Sequence, residues 1–378
     1  MERALYVHIP FCEVKCRYCD FTSYPGRGEG EKETYLQALC KEAKYYGSLF
    51  PEEKFKSLYI GGGTPTCLSG RQLSLLFSFL HASFTFGDNM ECTVEGNPGT
   101  INKEKILALL ESGCNRLSLG VQSFLEDDLK RLGRIHTPQE VYNTYSLARE
   151  AGFANINLDL MYGLPGQSLA GWQENLRKVT ALRPEHISLY QLHVEEGTPF
   201  YTMLRRGEIQ EFDNELALAM YEEAIHFLTG AGYHHYEISN FALPGKESAH
   251  NQVYWRNEEY MGLGAGASGY LQGIRYRNHS ALQEYVGAVH SGKKLRAEEE
   301  VITEEMKRSE TMFLGLRLLK GVEKERFLAR HHITMEECFG NTLDKLVKRG
   351  YLVNTATHVA LTRQGLYLAN EVFQEFLP

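Results

Sequence analysis

Residues 8–21 read His8-Ile9-Pro10-Phe11-Cys12-Glu13-Val14-Lys15-Cys16-Arg17-Tyr18-Cys19-Asp20-Phe21, so three cysteines follow a short apolar run in the spacing Cys-x3-Cys-x2-Cys. Three thiolates on one loop can ligate three irons of a [4Fe–4S] cube and leave the fourth iron open to a small molecule. Zinc is the competing metal, but a structural zinc site wants four closed ligands. No fourth cysteine lies nearby, because Cys40, Cys67, Cys92, Cys114 and Cys338 are scattered along the chain. Cysteine is otherwise buried singly in cores, which makes three unligated thiols on one loop the weaker reading.

Outward from this cluster, β-branched and aromatic runs at 4–9, 57–60, 92–95, 116–121, 155–161 and 186–192 alternate with helical patterns at 32–49, 69–82, 103–112, 138–151 and 168–182. Several helices end in a glycine stop, as at Gly113 and Gly152. Strict alternation of this kind predicts a parallel sheet with right-handed crossovers. A complete eightfold barrel takes about 250 residues. The alternation here ends near residue 192, so the expected fold class is α/β, a partial (β/α)6 barrel over 1–235. A helix at 211–230, a strand at 234–242, a turn at Leu243-Pro244-Gly245 and, at 261–268, a glycine-rich loop or tightly packed backbone are expected next. Residues 236–296 form a connecting segment, and the acidic stretch 298–300 reads as a solvated linker. Helical patterns at 304–319, 323–330 and 335–349, then alternation at 351–361, predict a smaller C-terminal α+β, winged-helix-like domain over 297–378.

The chain has 378 residues, 43% apolar and 23% charged, with net charge −8. These values fit a soluble globular protein of two or three domains and argue against a general nucleic-acid surface. The most apolar window, 73–86, falls short of the roughly 20 residues that span a bilayer, and Glu2 and Arg3 precede the cysteines with no room for a secretory leader. The expected location is cytoplasmic, where thiols stay reduced and available for metal.

The cysteine spacing, with an aromatic before the last cysteine and at the end of the first strand of a six-unit βα series, resembles the radical S-adenosylmethionine (SAM) superfamily. That resemblance implies that the open iron chelates SAM and that a cluster electron cleaves it to methionine and a 5′-deoxyadenosyl radical. Gly61-Gly62-Gly63-Thr64-Pro65 follows the second strand, Glu95 ends the third, Gln122 ends the fourth and Asp159 lies in the fifth. Polar residues at such strand ends are where barrel chemistry is expected. A buried carboxylate needs a partner, so Glu95 and Asp159 call for a cation, a hydroxyl or a metal. With Leu132-Gly133-Arg134-Ile135-His136, these segments are similar to the oxygen-independent coproporphyrinogen III oxidase subgroup. The similarity implies SAM contacts for Tyr6, Tyr18, Gly62, Gly63, Thr64, Glu95, Gln122, Arg134 and Asp159, with Leu192 at the adenine.

Two functions share this core: oxidative decarboxylation of coproporphyrinogen III, and a HemW-type heme chaperone that delivers heme to other proteins. The oxidases carry a further cysteine where Phe21 stands and a long N-terminal extension that finds no counterpart in the eleven residues before Cys12. His250-Asn251-Gln252-Val253-Tyr254-Trp255 resembles the His-Asn-x-x-Tyr-Trp heme-binding signature of the chaperones, which implies heme contacts for His250, Asn251, Tyr254 and Trp255. Imidazole is a good axial ligand, and Tyr and Trp offer flat apolar surface. A histidine beside Trp and Tyr is also a common hydrogen-bonded packing residue. The expectation is a heme chaperone that binds a [4Fe–4S] cluster, SAM and heme. A coproporphyrinogen oxidase is the enzymatic alternative, and an iron–sulfur protein without radical chemistry the third reading. The partners implied are heme, acceptor hemoproteins such as respiratory enzymes, and a reductant such as flavodoxin or ferredoxin. A homodimer and peripheral membrane association stay open, because the composition demands neither.

Overall fold

A computed structural model describes residues 3–377. Six parallel strands form in the predicted places: β1 (Arg3–Ile9), β2 (Lys54–Gly62), β3 (Thr85–Gly96), β4 (Arg116–Gln122), β5 (Ile156–Tyr162) and β6 (His186–Gln191). Each pairs with its sequence neighbour in parallel. The crossovers run through α1 (Glu29–Leu49), α2 (Gly70–Ser83), α3 (Lys103–Glu111), α4 (Pro138–Ala151) and α5 (Leu169–Leu182). Local chemistry sets their ends. Ser69 with Gln72 and Thr137 with Glu140 form reciprocal capping boxes, and Gly152 closes α4 in the left-handed conformation.

Within these strands the side chains alternate with period two. Leu58, Ile60, Val94, Leu117, Leu119, Leu158, Leu160, Ile187 and Leu189 belong to the apolar core. Their neighbours Tyr59, Glu95, Arg116, Ser118, Asn157, Asp159 and Ser188 line a cavity on the other side of the sheet. The layer is thus apolar toward its helices and polar within.

The sheet extends beyond the six units on both flanks. Residues 234–242, expected as one strand, form β7 (His234–Glu237) and β8 (Asn240–Ala242), an antiparallel pair added to β6. The chain turns because buried Glu237 accepts hydrogen bonds from the Ser239 amide and the Asn240 side chain. On the other flank, β9 (Tyr260–Leu263) pairs in parallel with β1, where a glycine-rich loop or tightly packed backbone was expected. Glycine is required there for packing: a Cβ on Gly262 would lie 1.9 Å from the Ser268 carbonyl oxygen. Three antiparallel strands follow, β10 (Ser268–Leu271), β11 (Ile274–Asn278) and β12 (Arg296–Val301). The acidic stretch expected as a linker is therefore the edge strand β12. Its glutamates are cross-strand partners: Glu300 and Glu298 stand opposite Arg275 and Arg277 in register and pair with them. The twelve strands run β12-β11-β10-β9-β1-β2-β3-β4-β5-β6-β8-β7, and the end strands do not pair with each other. Buried Glu42 of α1 fastens the added flank by accepting from the Gly264 amide (2.7 Å), Asn278 (2.8 Å) and the Tyr285 hydroxyl (2.6 Å).

Past the sheet, α6 (Glu304–Gly315), α7 (Lys324–His331) and α8 (Met335–Lys348) pack with a three-stranded sheet of order β13 (Val322–Glu323), β15 (His358–Leu361), β14 (Leu352–Asn354). Helices with a short antiparallel sheet match the expected winged-helix-like unit. No helix among the described residues is long and apolar enough to cross a membrane.

Because the Ser268 carbonyl belongs to the sheet backbone and cannot swing aside, Gly262→Ala is expected to lower unfolding stability by about 1–3 kcal/mol or more, measured by denaturant titration. An unchanged midpoint would show that β9 and β10 separate without cost.

Candidate functional site

The cysteine loop leaves β1 at Ile9 and is held along its length by backbone bonds. The Gly63 amide donates to the Ile9 carbonyl (2.9 Å), the Thr64 amide to Phe11 (2.7 Å), and the Gly26 amide to Cys12 (3.1 Å). Further along, the Arg17 amide donates to Leu132 (3.0 Å), while the Phe200 amide donates to the Arg17 carbonyl (3.0 Å). The glycine run has an internal reason: Gly62 has φ +109°, and Cβ atoms on Gly62 and Gly63 would strike the His8 ring and the Phe11 carbonyl. His8 in turn bonds the Tyr6 hydroxyl (2.9 Å) and the Thr22 carbonyl (2.8 Å), tying the far side of the loop to β1.

Cys12, Cys16 and Cys19 are free and half-buried, and all three face one cavity of about 510 Å³ at the C-terminal ends of the parallel strands. Cys12 Sγ lies 3.5 Å from Thr64 Oγ1, and Arg134 Nη1 donates to Cys16 Sγ at 3.5 Å. Burial pushes the Cys12 and Cys19 thiols up from their ordinary value. No three His, Cys, Asp or Glu side chains among the described residues converge as a single-ion site would require. Three thiols set apart around a loop suit a cluster, whose corners are separate irons, better than one ion.

The same cavity is lined by Tyr18, Gly62, Gly63, Thr64, Glu95, Gln122, Arg134, Asp159 and Leu192, so the strand-end residues picked out from the sequence are brought together with the cysteines. Glu95 accepts from the Tyr59 hydroxyl (2.6 Å) and the Gly62 amide (3.1 Å), yet burial outweighs both bonds and pushes its carboxyl up to about 7. Asp159 is likewise raised by burial, against hydrogen bonds from Asn157 (2.8 Å) and Ser118 (3.5 Å). Gln122 holds a left-handed backbone, φ 66°, at a register shift between β4 and β5. Its Oε1 is buried without a hydrogen-bond partner, an acceptor ready for a ligand donor. Tyr6 stands outside this lining and reaches it through Tyr59, on which its ring stacks at 6.3 Å.

Sequence reasoning missed Arg116, Tyr59, Asn97 and Asn157. Arg116 opens a strand that otherwise reads as apolar, but its side chain is buried and its charge favours the ionised forms of both Glu95 and Asp159. A lone arginine at a buried strand start was the available signal. Asn97 joins Arg134 to the glycine segment by accepting from Arg134 Nη2 (2.6 Å) and donating to Thr64 Oγ1 (2.9 Å).

The segment 250–255 lies on the helix Ala249–Trp255, capped by Ser248 and by Glu91, which accepts from the Ala249 and His250 amides. Its residues divide between two sides. Asn251 reaches the cysteine cavity. His250 is 1% exposed and has both ring nitrogens engaged, with Ser57 Oγ (2.9 Å) and Tyr254 Oη (2.9 Å). Burial, helped by Arg116, drives its imidazole down to about 3, so it is neutral. Its ring stacks on Tyr59 at 5.0 Å, the residue that donates to Glu95. Trp255 points away from the cysteines, under the Arg317 guanidinium at 4.3 Å.

Residues 6–179 match the model of the Radical SAM superfamily, and residues 302–368 match the HemN C-terminal domain. A solved structure described as coproporphyrinogen III oxidase (HemN) from Escherichia coli, a radical SAM enzyme, superposes with TM-score 0.87 at 25% identity, covering 99% of this chain and 90% of that one. Strand order, cysteine loop and strand-end cavity thus define a radical SAM protein with a HemN-type C-terminal unit. Heme chaperone HemW of Bacillus subtilis is 41% identical over 377 residues, 99% of each chain. Heme chaperone HemW of Escherichia coli is 36% identical, over 99% of this chain and 98% of that one. The chain belongs to the HemW family of the radical SAM superfamily.

A carboxyl held near 7 in the fold binds its proton more tightly than in the unfolded chain. Its contribution to stability is complete below the ordinary carboxylate range and is lost as pH rises through about 7. Glu95→Gln is therefore expected to raise the melting temperature of the cofactor-free protein at pH 8 relative to wild type, with little difference at pH 4. Glu42, also pushed up to about 7 by burial, keeps a residual slope in the variant. Parallel melting profiles for the two proteins across this range would remove Glu95 as a proton-linked group.

Proposed function

We propose that this chain is a heme chaperone: it holds a [4Fe–4S] cluster on Cys12, Cys16 and Cys19, binds SAM beside it, takes up heme through the 250–255 segment and passes it to acceptor hemoproteins. The family implies the cluster and SAM, and the residues fit both. Three thiols face one cavity whose far wall carries Glu95, Arg116 and Asp159, a donor set matched to an amino acid with its own amine and carboxylate. When bound, the cluster supplies an electron to SAM. Arg134 steadies Cys16, while Thr64 meets Cys12 and hangs, with its own backbone, on the Phe11 carbonyl. Glu95, held by Tyr59 and Gly62, offers an acceptor for an ammonium group, and Gln122 Oε1 offers a second.

The observation that carries the heme reading is the placement of the 250–255 segment on one helix, with His250 and Asn251 on the side of the cysteine cavity and Trp255 on the opposite one. His250 rests on Tyr59, Tyr59 donates to Glu95, and Asn251 lines the cavity, so the inner side of the 249–255 helix backs the cysteine cavity. Close relatives carry the name heme chaperone across nearly their whole length, which supports the same reading. The HemN likeness makes coproporphyrinogen oxidation the competing activity. At the oxidase's further cysteine position, Phe21 presents an exposed aromatic side chain with no capacity to ligate metal.

Anaerobic reconstitution is expected to give four irons and a [4Fe–4S] spectrum that Cys16→Ser abolishes. The reconstituted, reduced protein should bind hemin stoichiometrically and, given SAM and coproporphyrinogen III, form no protoporphyrinogen. Sustained turnover of coproporphyrinogen III without hemin binding would make the chain an oxidase.

A further inference from the structure

Gln252, Trp255 and Arg256, spaced i, i+3, i+4, share the face of the 249–255 helix opposite to His250 and line a second cavity of about 310 Å³ between this helix and the C-terminal unit. Trp255, Leu318, Val322 and Phe327 make it apolar on one side. Arg256, Lys320, Arg326 and Arg330 bring four cations to it, against Glu247 and Glu323. In a chain of net charge −8 this local excess of two positive charges is an inversion of the whole.

The charges are incompletely matched within the protein. Arg326 pairs with Glu258, which also takes Lys56. Arg330 is spent on the Arg256 and Asn257 carbonyls, and Arg256 on Gln252; among the described residues neither they nor Lys320 has a carboxylate within ion-pair distance. Burial, with Arg326 close by, pulls the Arg330 guanidinium below its ordinary range, outweighing the attraction of Tyr270, Glu258 and Glu259. The Trp255 indole N–H is buried without an acceptor. His358 reaches the same cavity from β15, its Nδ1 on Thr357 Oγ1 and its Nε2 without a hydrogen-bond partner among the described residues.

We propose that this junction cavity is a binding site for the dicarboxylate edge of an iron porphyrin. Arg256 and Lys320 face its two propionates, Trp255 and Phe327 lie against its ring, and His358 is the imidazole within reach of its iron. The assignment rests on the heme-chaperone reading and locates its cargo away from the SAM cavity. His250 has both nitrogens occupied inside the barrel, whereas His358 has one free at the surface. The cavity is smaller than the macrocycle, so a bound porphyrin leaves much of its face uncovered, which suits a ligand that must be handed on.

Hemin and hemin dimethyl ester, which lacks the propionate charges, are titrated into wild type and into an Arg256→Glu/Lys320→Glu variant. Both side chains are exposed, so the fold should survive their replacement, and SAM binding serves as the control. The variant is expected to bind hemin at least about tenfold more weakly and the ester as wild type does, since each tenfold is the scale of one good charge contact. His358→Ala should weaken hemin binding and leave iron-free protoporphyrin unaffected. If wild type binds hemin and the charge-reversed variant binds it equally well, the site is overturned while the chaperone reading stands. If wild type binds no hemin, both fall. A His358→Ala protein indistinguishable from wild type toward hemin overturns the iron assignment.

Discussion

The structure depends on a buried sheet whose two faces obey opposite rules. Outward residues of β2 to β6 are aliphatic and join the helices in one core, whereas the inward residues are Tyr59, Glu95, Arg116, Ser118, Asn157, Asp159 and Ser188. Unpaired polar groups in such a place cost more than the strand pairing returns, so each must find a partner. Tyr59 and Glu95 pair with each other, Arg116 keeps its Nε without an acceptor, and the rest do so in a chain. Asn157 donates to Asp159 and Ser118, and its carbonyl takes Ser188 and His186. His186 then reaches Tyr236, which meets the Ser248 amide at the start of the 249–255 helix. Arg116 supplies a positive charge that favours the ionised forms of both Glu95 and Asp159. Replacing any link leaves its neighbour buried and unmatched, which is why the inner face and the helix behind it form a single unit.

The cysteine loop is an extension of the same constraint. It has almost no regular structure, only a two-residue parallel bridge at Phe11–Cys12 with Tyr24–Pro25. Its shape comes from the strand ends: Gly63 and Thr64 hold Ile9 and Phe11, and Arg134 spans Cys16, Asn97 and the Gly120 carbonyl. The thiols are thus positioned by backbone bonds from the segment after β2 and by the Arg134 side chain, so their spacing is set by the scaffold around them.

What was legible in the sequence was whatever local pattern decides. The six parallel strands, their helices, the three cysteines and the strand-end residues Glu95, Gln122 and Asp159 all follow from period, caps and position. Pairing between distant segments was not legible. Residues 261–268, rich in glycine and alanine, read as loop or tightly packed backbone, and their first part pairs with β1 while Gly262 permits contact with Ser268. The glutamates at 298–300 read as solvated because their partners, Arg275 and Arg277, lie more than twenty positions away. Arg116 was hidden for a related reason, since its role depends on carboxylates from two other strands. In the 250–255 segment the motif picked out candidate residues, but only the helix shows that His250 and Trp255 face opposite sides.

That division shapes the chemistry of the SAM wall. Tyr59 lies between the His250 ring and the Glu95 carboxylate, stacked on one and bonded to the other. The Tyr59 hydroxyl favours the ionised form of Glu95, whereas burial favours the protonated one, and the balance sits close to neutrality. His250 beside Tyr59 is neutral, because a charged imidazole near Arg116 in the same dry interior would be opposed by both burial and repulsion. Its bonds to Ser57 and Tyr254 therefore act on the cavity as well as on the helix: they hold the ring on which Tyr59 stacks, and Tyr59 donates to Glu95. His250 is thus committed to the cavity side, while Trp255 and Arg256 stand on the opposite face of the same helix.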